Sequence, residues 1–275
     1  GFLLATAGGP TTGNAVDITA YTDDVAPNLG DYGSGTSTND TTPVLKGTVS
    51  GLKAGDVVQI FEGSALLGTA AVNGTAWTFA LPTLANGSRH TYVAVIADGA
   101  GNKGTASADF SLAVNTAAPS QSVAIVSCTD DQAPQTGTFA SGSTINDTSP
   151  LLNGTIGGTL NAGDTVVIYR DGVRLGTATL GGGTAWTFQD AGLVDGKSYS
   201  YTARIEDAAG NQSGASAAFA LTIDQRAPTT APVVESFVDD VAPVTGAIAQ
   251  GGTTNDARPE LKGSGAEPDG TVRIY

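Results

Sequence analysis

Asp23-Asp24-Val25-Ala26-Pro27, followed by Gly30, Gly35, Asn39-Asp40 and Pro43, is a pattern met three times in this chain. It returns as Asp130-Asp131, Ala133-Pro134, Gly137, Gly142, Asn146-Asp147 and Pro150. The third copy reads Asp239-Asp240, Ala242-Pro243, Gly246, Gly251, Asn255-Asp256 and Pro259. Spacing inside the pattern is the same each time. So many fixed positions mark a tandem repeat of about 108 residues, and a repeat of that size is a domain in its own right. The 275 residues then predict two whole domains, 16–119 and 120–228, and a third, 229–275, that is incomplete. Residues 1–15 read as the end of a preceding unit and a linker.

Working outward from the pattern, the flanking residues alternate as strands do. Val16, Ile18 and Ala20 alternate with polar neighbours before the acidic stretch, which reads as a long loop. After Pro43 come strands at Val44–Val49, Val57–Phe61 and Leu66–Val72. The Asn73-Gly74 hairpin signal then leads into Thr75–Leu81 with Trp77 and Phe79 on one face. Tyr92, Ala94 and Ile96 mark the sixth strand, and Phe110, Leu112 and Val114 the seventh. Seven strands with regular turn signals predict an immunoglobulin-like antiparallel β-sandwich, an all-β fold. In the second copy Trp186, Phe188, Tyr201, Ala203, Ile205, Phe219 and Leu221 keep the inward places. The third copy stops at Tyr275, which matches Tyr169 of the third strand, and half a sandwich cannot bury its core.

Composition removes several functions. There are 26 acidic and 12 basic residues, a net charge of −14, which argues against nucleic acid or anionic membrane as partner. Cys128 is the single cysteine, so no disulfide framework exists within the chain; a small buried hydrophobe on a strand is its expected role. No apolar run reaches membrane-spanning length. The absence of Met, even at position 1, leads us to expect a processed piece or an internal fragment.

Enzymatic readings fare badly. His90 is the only histidine, so a Ser-His-Asp or Cys-His triad would have to use it, and it reads as part of a turn that does not repeat. No Cys/His group exists for zinc. Trp77 and Trp186 could stack on sugars, but they sit at the same strand position of each copy, which favours core packing. No catalytic residue is expected.

The acidic loops are the remaining candidate. Calcium takes six to eight oxygens from carboxylates, amides and carbonyls. Strand direction in a seven-strand sandwich puts the first loop at the end where the seventh strand leaves. The expected first joint therefore gathers Asp23, Asp24, Asn39, Asp40 and Asn115 below with Asp207 and Asn211 above, and Asp164 as a weaker candidate. A second joint offers Asp130, Asp131, Asn146, Asp147 and Asp224, and the third copy repeats Asp239, Asp240 and Asp256. Calcium, Ca2+, is the expected cofactor, stiffening the joints rather than folding the domains. The joints, Asn115–Pro119 and Asp224–Pro228, are short and Pro-stiffened.

With those motifs in hand, Asp-Asp-x-Ala-Pro, Asn-Asp-Thr-x-Pro, Gly-x-Ala-Trp-Thr-Phe and Asp-x-Ala-Gly-Asn before an Ala-Pro joint, the chain resembles the bacterial Ig-like repeats of large surface adhesins and biofilm-associated proteins. The resemblance implies a long extracellular stalk at the bacterial cell surface, exported by type I secretion, with calcium near the domain joints. Its partners would be neighbouring Ig-like repeats of the same longer chain. Three function classes follow: a structural spacer, a self-associating filament or surface-layer subunit, and a carbohydrate-binding accessory module.

Overall fold

The computed structural model describes residues 15–243, 245–267 and 270–275, and among them there is no helix. The expected tail of a preceding unit falls, except for Ala15, on residues 1–14, outside the described residues. The chain divides into two units, one reaching to Ile223 and one from Asp224 to Tyr275.

The first unit holds two sandwiches. Strands of the first are β1 (Ala15–Asp23), β2 (Gly30–Tyr32), β3 (Thr36–Thr38), β4 (Val44–Ser50), β5 (Val57–Glu62), β6 (Ala65–Thr69), β7 (Ala71–Asn73), β8 (Ala76–Ala80), β9 (Arg89–Ala97) and β10 (Phe110–Val114). One sheet has the order β2-β1-β4-β8-β7 and the facing sheet β3-β10-β9-β5-β6. The second sandwich repeats this with β11 (Ser122–Asp130), β12 (Gly137–Phe139), β13 (Ser143–Ile145), β14 (Leu151–Gly157), β15 (Thr165–Arg170), β16 (Val173–Thr177), β17 (Thr179–Leu180), β18 (Ala185–Gln189), β19 (Ser198–Glu206) and β20 (Phe219–Ile223). Its sheets are β12-β11-β14-β18-β17 and β13-β20-β19-β15-β16.

Alternation along the strands turns one face of each sheet inward. Tyr21, Leu45, Ile60, Trp77, Tyr92 and Leu112 form one core, and Leu152, Ile168, Trp186, Tyr201, Phe219 and Leu221 the other. Each Trp lies flat over a glycine of the neighbouring strand. A Cβ on Gly47 would stand 2.2 Å from Trp77 Cζ2, and one on Gly154 would stand 2.0 Å from Trp186 Cζ2. The indole N–H groups donate to Thr48 O and Thr155 O. Cys128, on β11, is fully buried where the first repeat has Tyr21.

Two features depart from the seven-strand expectation. The strand expected at Leu66–Val72 is two strands in different sheets, β6 and β7, and buried Ala70 marks the crossing by donating to Val58 O. The acidic stretch is not a plain loop either. It folds back as β2, with Asp23 opposite Gly30, and then crosses the sandwich as β3, parallel to the last strand with Thr38 opposite Val114.

The second unit contains one three-stranded sheet, ordered β22 (Gly246–Ile248), β21 (Val233–Asp239), β23 (Glu260–Ser264). No facing sheet covers it among the described residues, and Val233, Val234 and Phe237 are exposed.

Candidate functional site

Every Asp-Asp pair splits by burial. Asp23, Asp130 and Asp239 are buried at the end of their strands, while Asp24, Asp131 and Asp240 are exposed. The first Asp of each pair is the last, inward-facing residue of its strand, and the second is the first residue beyond it. The buried member turns back on its own loop: Asp23 Oδ1 accepts from Val25 N, Asp130 Oδ1 from Gln132 N and Asp239 Oδ1 from Val241 N. Asp40, Asp147 and Asp256 close the loop in the same manner, accepting from Thr42 N, Ser149 N and Arg258 N at 2.7 Å each. Asn39, Asn146 and Asn255 donate to the carbonyl of the Ala before the cis-proline, Ala26, Ala133 and Ala242. These carboxylates thus fix the acidic stretch against itself through side-chain-to-backbone turns.

Comparison of the three copies exposes a partner that the spacing did not reveal. Thr38 Oγ1 donates to Asp23 Oδ2 at 2.6 Å, and Thr254 Oγ1 to Asp239 Oδ2 at 2.7 Å. The second copy has Ile145 at that position, and Asp130 Oδ2 is buried with no hydrogen bond. Burial, with the Asp147 charge beside it, holds the Asp130 carboxyl above its ordinary range against the Gln132 N–H bond. Asp23 is raised for the same first reason, with Thr38 opposing it.

Asn115, Asp207 and Asn211 come together where the sandwiches of the first unit meet. Asp207 sits in the loop after β19, where its Oδ1 accepts from Ala209 N and Asn211 N at 2.9 and 2.8 Å. Its Oδ2 accepts from Asn211 Nδ2 and, across the joint, from Asn115 Nδ2, both at 2.9 Å. Asn211 Nδ2 also reaches back to the Asn115 backbone carbonyl at 2.7 Å. Asn28 of the first sandwich lies over Gly210, so close that a Cβ there would meet its side chain at 2.9 Å. Beside these residues runs a groove of about 350 Å3, lined among others by Ser37, Gln121, Asn161 and Asp164. Asp164 is buried and already accepts from Asn161 N and Nδ2.

This donor set decides how a cation would fit. Calcium needs oxygens, yet Asp207 takes four N–H donors, and Asn115 turns its amide nitrogen toward the carboxylate. Asp23 and Asp40 bond within their own loop. Among the described residues no three His, Cys, Asp or Glu side chains gather as a ligand group. Asp224, the residue matching Asn115 in the second repeat, is exposed and accepts from Arg226 N.

Other candidate residues have structural partners. His90 lies in β9, not in a turn, and matches Tyr199 of β19. Its Nδ1 is 2.6 Å from Glu62 Oε1 and its Nε2 2.7 Å from Ser88 Oγ, an order of groups that resembles a triad. The Ser88 hydroxyl, however, donates to the Ala85 carbonyl, and the neighbouring N–H groups of Gly87 and Ser88 bond to Val114 O and Ala85 O. Nucleophile and oxyanion donors are therefore both committed to the turn. The second repeat places Arg170 where Glu62 stands, 5.4 Å from the Tyr199 ring and paired with buried Asp190 at 2.9 Å. Tyr201 donates to the same Asp190 at 2.7 Å. In the first repeat Leu81 occupies the Asp190 position, and the buried Tyr92 hydroxyl has no partner. Trp77 and Trp186 are each 1% exposed, which leaves them no face for a sugar.

Several known proteins share parts of this chain. An 88-residue stretch is 40% identical to exoglucanase B of Cellulomonas fimi, covering 30% of this chain. The chain spans 8% of that relative's length. Among solved structures, the human OSCAR ligand-binding domain is 18% identical, with 66% of this chain and 92% of that one covered at a TM-score of 0.28. The titin domains Z1Z2 in complex with telethonin are 12% identical, with coverages of 77% and 99% and a TM-score of 0.22. Scores this low bear on no functional point. Residues 17–116 and 122–225 each match the bacterial Ig-like domain, and by these two stretches the chain belongs to that family.

Proposed function

We propose that the chain is a spacer segment of an extracellular bacterial surface protein, an adhesin or biofilm component, in which Ig-like repeats hold a binding part away from its attachment. The observation that carries this reading is the joint of the first unit. There the exit residue of one sandwich and a loop of the next share direct hydrogen bonds. The strongly negative charge suits a chain that stays soluble and avoids anionic surfaces. On this reading the chain performs no catalysis, and its immediate partners are repeats like itself. Calcium is proposed for joints whose exit residue is Asp, as Asp224 is, where a receiving loop of the Asp207–Asn211 kind would supply the facing carboxylate.

A second reading has one observation in its favour, the likeness to an exoglucanase. The repeats would then space modules of a polysaccharide-acting enzyme. Repeat exchange in the parent protein tests the spacer role common to both readings. Replacing 122–225 by a second copy of 17–116 shortens the chain by only four residues, 104 against 100, and changes the side chains the repeat presents. A spacer predicts undiminished activity of the part it carries; loss of that activity would mean that the repeat surface itself binds something.

A further inference from the structure

We infer that the joint between the two sandwiches of the first unit is a cation-independent latch. In it the Asn115 amide gives Asp207 the positive end that a calcium ion would otherwise give.

The argument begins with which way the amide points. Asn115 Oδ1 accepts from Ala117 N at 3.1 Å, and its Nδ2 donates to Asp207 Oδ2 at 2.9 Å. Neither neighbour can change role, because a backbone N–H only donates and a carboxylate only accepts. A flipped amide would set oxygen against carboxylate and N–H against N–H, so the orientation is forced. The second bond, from Asn211 Nδ2 to the Asn115 carbonyl, closes a ring that rigidly relates the two chain segments.

The receiving loop is held by its own internal bonds in both repeats. Asp98 and Asn102 of the first repeat make the same loop with the same internal bonds: Asp98 Oδ1 accepts from Ala100 N and Asn102 N, and Oδ2 from Asn102 Nδ2. Docking therefore adds one donor to a carboxylate already held in place, at little ordering cost. Asn115 is equally prepared, since Asn115 N donates to Thr38 O as β3 runs beside β10.

One atom then decides the chemistry of a joint. Asp224 stands at the Asn115 position of the second repeat and makes the same turn, its Oδ1 accepting from Arg226 N. That turn puts an acceptor oxygen where Asn115 puts an N–H. Facing a loop of the Asp207 kind, the oxygen would be repelled unless a cation stood between. Asn makes a joint that closes unaided; Asp makes one that closes on demand.

The whole chain tests this, with Cys128→Ala and spin labels at Ser64→Cys and Val173→Cys, both exposed and one in each sandwich. Electron–electron distances are measured in millimolar calcium and in EDTA. We expect one narrow distribution in both solutions for the parent. Asn115→Asp should broaden about twofold or more in EDTA and narrow again with calcium, as expected of a charge pair that needs a hard cation between its members. Asn115→Ala should be broad in both. Far-UV circular dichroism confirms folding of each variant. The inference is overturned if the parent broadens in EDTA as much as Asn115→Asp does, or if either variant stays narrow in EDTA. The readout does not depend on what the chain carries.

Discussion

Ile145→Thr should restore to the second repeat the hydroxyl that the other two copies keep, and its effect should depend on pH. In the first repeat the equivalent hydroxyl meets Asp23 Oδ2 at 2.6 Å, and here Asp130 Oδ2 is buried without a donor. A hydrogen bond to an ionised group contributes about 1.5–3 kcal/mol. Against it stands the loss of roughly two buried carbon groups from Ile145, 4% exposed in the core, about 1.6 kcal/mol at 0.8 per group. At neutral pH the variant should thus lie between equal to the parent and about 1.5 kcal/mol more stable. The sign reverses in acid. Burial raises the Asp130 carboxyl in the folded state, so in the parent its proton-linked stabilisation is present at low pH and fades as pH rises through the folded value. The new hydroxyl pulls that value down and removes part of this acid-side advantage. With the carboxyl protonated, the gained bond shrinks to about 0.5–1.5 kcal/mol and the lost packing dominates. Urea unfolding at pH 3 and pH 7 measures the difference, with Trp77→Phe leaving Trp186 as the reporter of the second repeat. A variant-minus-parent difference that is the same at both pH values would refute the reasoning.

Three further outcomes are expected. Gly154→Ala should unfold the second repeat or cost more than about 4 kcal/mol, because the added carbon would lie 2.0 Å from Trp186 Cζ2 and 2.3 Å from Ala124 O; thermal melts followed at Trp186 check it. Leu81→Asp in the first repeat should cost about 3–5 kcal/mol by burying a lone carboxylate. Adding Glu62→Arg should recover much of that by rebuilding the Arg170–Asp190–Tyr201 arrangement around Tyr92, as denaturant titration of single and double variants would show. Cys128, whose thiol burial pushes up to about 11, should resist a thiol reagent at pH 8 in the native protein and react once urea opens the second repeat.

The sandwich was readable because its signals are long. Trp77 and Phe79 alternate over a full strand, Asn73-Gly74 makes the hairpin, and the same residues recur as Trp186 and Phe188. Strands β2, β3 and β7 were not readable, since three residues carry no period and their pairing is decided by distant partners such as Val114. At the joint, strand direction alone brings Asn115 near Asp207 and Asn211. Residue type could not tell a ligand from a turn former, because Asp23 and Asp40 serve an inward-folded loop with the same side chains a metal would use. The Thr38–Asp23 bond was hidden for another reason: only alignment of the copies, with Ile145 as the exception, makes Thr38 conspicuous.

The short strand β3 also bears on how a repeat would carry a pull along its length. A force drawing residues 15 and 114 apart slides β1 along β4 and β10 along both β9 and β3. Ladder bonds lie across that direction, so they are loaded in shear and must give way together instead of unzipping one after another. Without β3 the exit strand would be gripped on one flank only. By crossing the sandwich to lie parallel to the last strand, the acidic stretch gives each sandwich of the first unit a second grip at its exit, β3 on β10 and β13 on β20.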